Sequence, residues 1–136
     1  MQRTNSGLQA NGRDPQLIKS VLSKLALFQN VDPARLATIA AHSWIAHARR
    51  GSLIAERGAQ LPGVIVFVYG SAKLSLPREQ GEEKILRFLS RRDSFGESAA
   101  LHDQPSPVRV VALADSMLVI VPPLPLLQLL EHDSQF

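Results

Sequence analysis

The chain contains no cysteine among its 136 residues. Disulfides, thiolate catalysis and cysteine-held iron–sulfur clusters are therefore excluded within it. Aromatic residues are scarce at 5%, with one Trp and one Tyr. No apolar run approaches the roughly 18 residues that a membrane-crossing helix needs, and no basic-then-apolar leader opens the chain. The expected location is the cytoplasm. The Gly-Lys-Ser/Thr ending of a nucleotide-triphosphate loop is missing after Gly58 and Gly63. Ser6, Ser94 and Ser98 have no histidine and aspartate partner at a recognisable catalytic spacing. Glu82, Glu83 and Asp93 read as turn and strand-end charges, so no enzyme is expected.

What is present is ordinary for a folded domain: 45% apolar residues, 20% charged residues and a formal charge of +3. The length suits one domain with its own core. Eleven arginines supply most of the positive charge. A basic surface can bind nucleic acid. No basic helix with interleaved polar readers gathers these arginines, which favours scattered, solvated side chains.

Residues 1–13 are polar and rich in Gly and Asn, and read as a disordered tail. The folded domain is expected over residues 14–136. Asp14-Pro15 and Asp32-Pro33 each combine a helix N-cap with proline at the first helical position. Leu17, Ile18, Val21, Leu22 and Leu25 form one stripe, and Leu36, Ile39 and Ala40 a second.

From Ser43 the period changes to that of strands. Strands are expected at 44–49, 53–54, 64–69, 72–76, 85–89, 108–113 and 117–121, with glycine or Asp-Ser turns between them. The run 64–69 is dense in β-branched and aromatic residues, the composition of a strand buried on both faces. Lys73 and Ser75 are expected to face outward. A final short helix should carry Leu126, Leu127, Leu129 and Leu130 over the strands. Many short strands joined at glycines indicate a barrel or sandwich.

The most informative stretch runs from Asp93 to Val121. A tight turn at Gly96 precedes Glu97, a short apolar run Ala99-Ala100-Leu101, a turn at residues 102–107, and a strand. Turn, one-turn helix, turn and strand enclose a small concavity, and free amides at the start of the short helix suit an anion.

Phe95-Gly96-Glu97, the apolar mini-helix and the proline-containing turn resemble the phosphate-binding cassette of cyclic-nucleotide-binding domains. Arg50-Gly51-x-x-Ile54-x-x-x-Gly58, then Tyr69-Gly70-x-x-Lys73-Leu74, is similar to the same family, and the closest variant is the sensor domain of Crp/Fnr-type transcription regulators. The resemblance covers roughly residues 17–130. It implies a mostly β fold with flanking helices, a double-stranded β-helix or jelly-roll-like β-roll of the cyclic-nucleotide-binding domain type. It also implies an effector site at Gly96, Glu97, Ser98, Ala99, Ser106, Pro107, Val108 and Arg109.

In such cassettes the glutamate accepts the ribose hydroxyl, and an arginine about ten residues on pairs with the phosphate in a bidentate fork. Here Glu97 is present, either for that role or for bonds across its own turn. The arginine position falls on Ser106 or Pro107. Arg109 follows inside the predicted strand, on the face opposite Val108, Val110 and Ala112. A buried phosphate without its cation is costly. Cyclic AMP is therefore a weaker expectation than the family norm, and the Gln104-Pro105-Ser106-Pro107-Val108 run looks more like oxygen- and nitric-oxide-responsive branches.

Haem is a candidate cofactor by the same resemblance, with histidine its usual ligand. However, His42 and His47 would stand about 140° apart on a helix and on opposite faces of a strand. His102 and His132 read as surface histidines, and Met117 as core packing. No metal site is expected.

The family usually continues into a dimer helix and a DNA-reading helix-turn-helix, neither of which is in this chain. The expected function is the effector-binding sensory domain of a Crp/Fnr-type regulator. A small-molecule effector would be its direct partner, DNA would be reached only through a downstream domain, and the full-length protein would be a homodimer. A stand-alone cyclic-nucleotide-binding module is the alternative.

Overall fold

A computed structural model of the chain describes residues 8–10 and 12–132. Among the described residues, nine strands form two antiparallel sheets. The first sheet holds β1 (Gln9–Ala10), β2 (Trp44–Ala48), β9 (Ser116–Val121), β4 (Val64–Tyr69) and β7 (Ser94–Phe95), in that spatial order. The second holds β3 (Leu53–Ala55), β8 (Arg109–Ala112), β5 (Ser71–Pro77) and β6 (Glu83–Ser90). This is the jelly-roll-like β-roll with flanking helices that the family resemblance implied.

Both early helices begin where their caps place them. In α1 (Pro15–Ser23) the Asp14 carboxylate accepts from the Leu17 amide at 3.2 Å. In α2 (Pro33–His42) Asp32 accepts from the Arg35 amide at 2.9 Å. Each cap satisfies an amide that the helix itself leaves free. A single 3-10 turn, Ala26–Phe28, joins the two. Helix α4 (Pro123–His132) follows β9 and buries Leu126.

Two apolar clusters share the first sheet as their common wall. Period-two alternation sends Ile65 and Phe67 of β4, with Leu118 and Ile120 of β9, into the space between the sheets. Val64, Val66, Val119 and Val121 point the other way, onto Ile18, Leu22, Leu36, Ile39 and Leu126 of the helices. Strand β4 is thus buried on both faces over its first four residues, which is why it reads as an unbroken apolar run.

Gly70 permits a close crossing. Its φ is +101°, and a Cβ there would lie 2.0 Å from the Ser116 Oγ. The turn from β4 into β5 therefore rests directly on the start of β9.

Four details depart from the sequence-based expectation. Gln9–Ala10, within the segment read as a disordered tail, pairs with Ala46 and His47 along the edge of β2. Residues 1–7 and 11 lie outside the described residues. Ser94–Phe95, where no strand was expected, pairs with Ile65 and Val66. Ser75, expected outside, is 0% exposed. It does face away from the intersheet core, but a register shift beside it and the Glu83 carboxylate that accepts its hydroxyl at 2.9 Å close it off from water. Finally, the strand expected at 85–89 buries only Leu89, because β6 lies at a sheet edge among the described residues.

Candidate functional site

The stretch expected to enclose the concavity comprises β7, helix α3 (Glu97–Leu101) and the turn before β8. Gly96 caps α3 with φ +87°, a left-handed conformation that side-chain-bearing residues rarely take. Its carbonyl accepts from the Ala100 amide at 2.8 Å, closing the only full turn of the helix. Leu61 lies against it, so a Cβ at residue 96 would come within 2.6 Å of the Leu61 Cδ1. Apolar packing thus reaches the very start of α3.

Glu97 is half-buried and accepts a hydrogen bond from the Ser94 hydroxyl. It spans its own turn through a side chain rather than through backbone amides. Ser98 is exposed, and its carbonyl accepts from the His102 amide and is also bonded to the His102 Nδ1, both at 3.0 Å. Ala99 and Ala100 are buried, with Ala100 packed among the helix-layer residues.

The turn at 102–108 follows α3, and it is tied to the turn between β3 and β4. The Gly58 amide donates to the Ser106 carbonyl at 2.7 Å, and the Ser106 amide donates to the Ala59 carbonyl at 2.8 Å. The Gln60 side-chain amide donates to the Asp103 carboxylate at 2.8 Å. Ser106 is 1% exposed, and its hydroxyl donates to the Val108 carbonyl at 2.8 Å. Pro107 is exposed, and Val108 packs against the intersheet cluster.

Arg109 goes elsewhere. Val110 and Ala112 fill the intersheet core, so alternation turns Arg109 to the outer face. There its guanidinium grips Glu56 with two bonds, Nε to Oε2 at 3.1 Å and Nη2 to Oε1 at 3.0 Å. These bonds hold the Glu56 carboxyl below its ordinary value and raise the Arg109 guanidinium. Next to this pair, Lys73 and Ser75 bond Glu83 and lower it in the same way. An open cleft of about 460 Å³ on this face is lined by Arg109, Lys73, Arg78, Glu83 and Val111.

Of the eight residues expected at the site, Gly96, Glu97, Ser98 and Ala99 stand at the start of α3, and Ser106 in the turn before β8. Arg109 is not brought to them. Glu56, Ser94, Leu61 and the Gly58-Ala59 backbone were not expected. Glu56 and Arg109 are 53 positions apart, so only the β3–β8 pairing could join them. The Ser94-x-x-Glu97 spacing was the one local signal available.

His42 ends α2 with its Nδ1 2.9 Å from the Thr38 carbonyl, while His47 lies on β2. Among the described residues no three His, Cys, Asp or Glu gather in a metal-holding group, and no helix is long and apolar enough to cross a membrane.

The sequence profile of the cyclic nucleotide-binding domain matches residues 45–133, more than half of the chain. A cAMP-dependent protein kinase regulatory subunit from Mycosarcoma maydis is 29% identical over 105 residues, which are 77% of this chain and 20% of that protein. The chain thus spans about a fifth of that relative's length. Among solved structures, the sensor domain of the transcriptional regulator DNR from Pseudomonas aeruginosa superposes with a TM-score of 0.82 at 21% identity, covering 89% of this chain and 81% of that one. The Thermus thermophilus catabolite activator protein gives 0.68 at 21% identity, covering 78% and 50%. Identities this low establish a shared fold.

Proposed function

The chain belongs to the cyclic nucleotide-binding domain family, and within it we propose that the chain is the effector-sensing domain of a Crp/Fnr-type transcription regulator, answering to a ligand other than cyclic AMP. The observation that carries this reading is the wall at residue 106. A phosphate in the concavity needs a guanidinium there. Ser106 offers a hydroxyl already given to the Val108 carbonyl, and Arg109 is committed to Glu56 on the outer face. A dianionic or cyclic phosphate would enter with no positive side chain opposite Glu97, at a cost of several kcal/mol if fully desolvated.

The likeness to the DNR sensor domain supports the regulator reading. In it, Gly96, Glu97, Ser98, Ala99 and Ser106 line the effector site. A neutral or weakly polar ligand would bond the Glu97 carboxylate and pack on Ala99 and Leu61. Its differential affinity for two arrangements of the roll would shift a pre-existing equilibrium. DNA would be contacted by a domain outside these residues, in a dimer of the full-length protein.

Calorimetry with cyclic AMP and cyclic GMP, followed by a thermal-shift screen of small effectors, tests the ligand part. Micromolar binding of either nucleotide would sink it. Haem stays a candidate in that screen, and an absorbance band in the Soret region after reconstitution would promote it. A helix-turn-helix in the reading frame beyond Phe136, with footprinting of the full-length product on its own promoter, tests the regulator part. The second reading is a cyclic-nucleotide-binding module unconnected to DNA. The kinase regulatory subunit likeness favours it, and nucleotide binding without any downstream DNA-binding domain would select it.

A further inference from the structure

Strand β6 is a long edge with an apolar surface. Among the described residues it pairs only with β5, on one side. Ile85, Leu86 and Phe88 are 46%, 44% and 62% exposed, and β6 carries more large exposed apolar side chains than any other described element. An edge strand presents unpaired N–H and C=O groups, and proteins ordinarily blunt such edges with charge, proline or bulges. Here the blunting is slight: Lys84, Arg87 and one register shift beside Leu74. The edge is closed at its end, where Asp93 accepts the Ser90 amide at 2.8 Å.

The flanks of β6 carry opposite charges. Glu82 and Glu83 stand at its start, and Arg91 and Arg92 follow its end. Among the described residues, Glu82, Arg91 and Arg92 take part in no ion pair, while Glu83 keeps Lys73 and Arg87 lies 3.8 Å from Asp93. A strand with an acidic start and a basic end is complementary to itself in the antiparallel sense only. Parallel pairing would set acid on acid and base on base.

We propose that β6 pairs antiparallel with β6 of a second copy of this chain, forming a two-fold dimer through one sheet continuous across both copies. A two-fold at Arg87 sets Leu86 beside Phe88 of the second copy, twice, and Ile85 beside Leu89. The same register sets Glu82 and Glu83 beside Arg92 and Arg91 of the second copy. Each Arg87 keeps its own Asp93 where the two meet at the axis. The opposite edge of the sheet, β3, has three residues, two of them buried, and exposes no comparable apolar row. The contact therefore closes as a pair instead of extending as a fibre. This inference does not depend on which effector fills the concavity.

Sedimentation velocity of the purified chain, from micromolar to near-millimolar concentration, is the test. The expected result is a monomer–dimer equilibrium that Phe88→Asp weakens about tenfold or more, with the melting temperature unchanged at dilutions where both chains are monomeric, because Phe88 is exposed there. Leu124→Asp, on the equally exposed surface of α4, should leave the dimer intact. A charge test follows: Arg91→Glu/Arg92→Glu and Glu82→Arg chains should each dimerise poorly alone and better when mixed. A wild-type chain that stays monomeric throughout overturns the proposal, as does a dimer lost with Leu124→Asp but kept with Phe88→Asp, or a mixture no tighter than its components.

Discussion

Placing arginine at residue 106 should trade stability for nucleotide binding. The backbone there is held from both sides, by Gly58 and Ala59, independently of the side chain. Ser106→Arg therefore leaves the turn in place and changes only what projects from it. It removes the hydroxyl bond to the Val108 carbonyl, worth about 1 kcal/mol. It also sets a guanidinium at a position that is 1% exposed, where an unpaired charge costs a further few kcal/mol less whatever relief the side chain finds by bending outward. The ligand-free variant should be destabilised by about 2–4 kcal/mol. For a domain of this size that lowers the melting temperature by roughly 10 °C. A cyclic phosphate supplies the missing counter-charge. At a ligand concentration of 100 times the dissociation constant, cyclic AMP should return about 2.7 kcal/mol. Thermal shift with and without cyclic AMP, on wild type and variant, reads both effects. The reasoning fails if wild type gains as much from cyclic AMP as the variant does, or if the variant is neither destabilised alone nor rescued by the nucleotide.

Three further expectations follow from the packing and the charges. Gly70→Ala should cost about 2–4 kcal/mol in urea unfolding, since its Cβ would strike Ser116; Gly51→Ala, also at positive φ (+86°) but in open space, should cost only about 1–2, and equal costs would refute the steric account. Leu22→Ala, at 0% exposure under the helix layer, should cost about 3 kcal/mol by denaturant titration. Glu56 has its folded pKa lowered by Arg109, so its contribution is present above the ordinary carboxylate value and is lost as pH falls through the folded one. Glu56→Gln should therefore destabilise at neutral pH, by less than about 1 kcal/mol because both partners are roughly a third exposed, and should match wild type at strongly acidic pH; a difference that stays constant with pH would contradict this.

Local chemistry made much of the fold readable. Asp-Pro caps fixed both early helices, and the run Val64–Tyr69 is a strand with the bounds its composition suggested. Gly96 marked the start of α3, and alternation gave the correct outward face for Arg109. What escaped reading depends on contacts between distant segments. Nothing in Gln9-Ala10 announces a strand; it becomes one because β2 has an open edge. Ser75 looks like an outward polar residue and is one, until Glu83 folds over it. The apolar residues of β6 alternate like a core strand, yet position at a sheet edge leaves them in water. Around Gly96, the acid Glu97 was legible and its Ser94 partner nearly so. The tie of residue 106 to residues 58 and 59, and of Arg109 to Glu56, belongs to three-dimensional neighbourhood alone.

The bonds from Gly58, Ala59 and Gln60 to the far wall of the concavity have a mechanical consequence. That wall cannot be pushed aside by itself. Any guest that spreads residues 97 and 106 must also drag the loop leading into β4, the strand on which both apolar layers rest. News of a filled pocket would thus travel first to the midline of the molecule, and amide exchange there would register it before any outlying loop did.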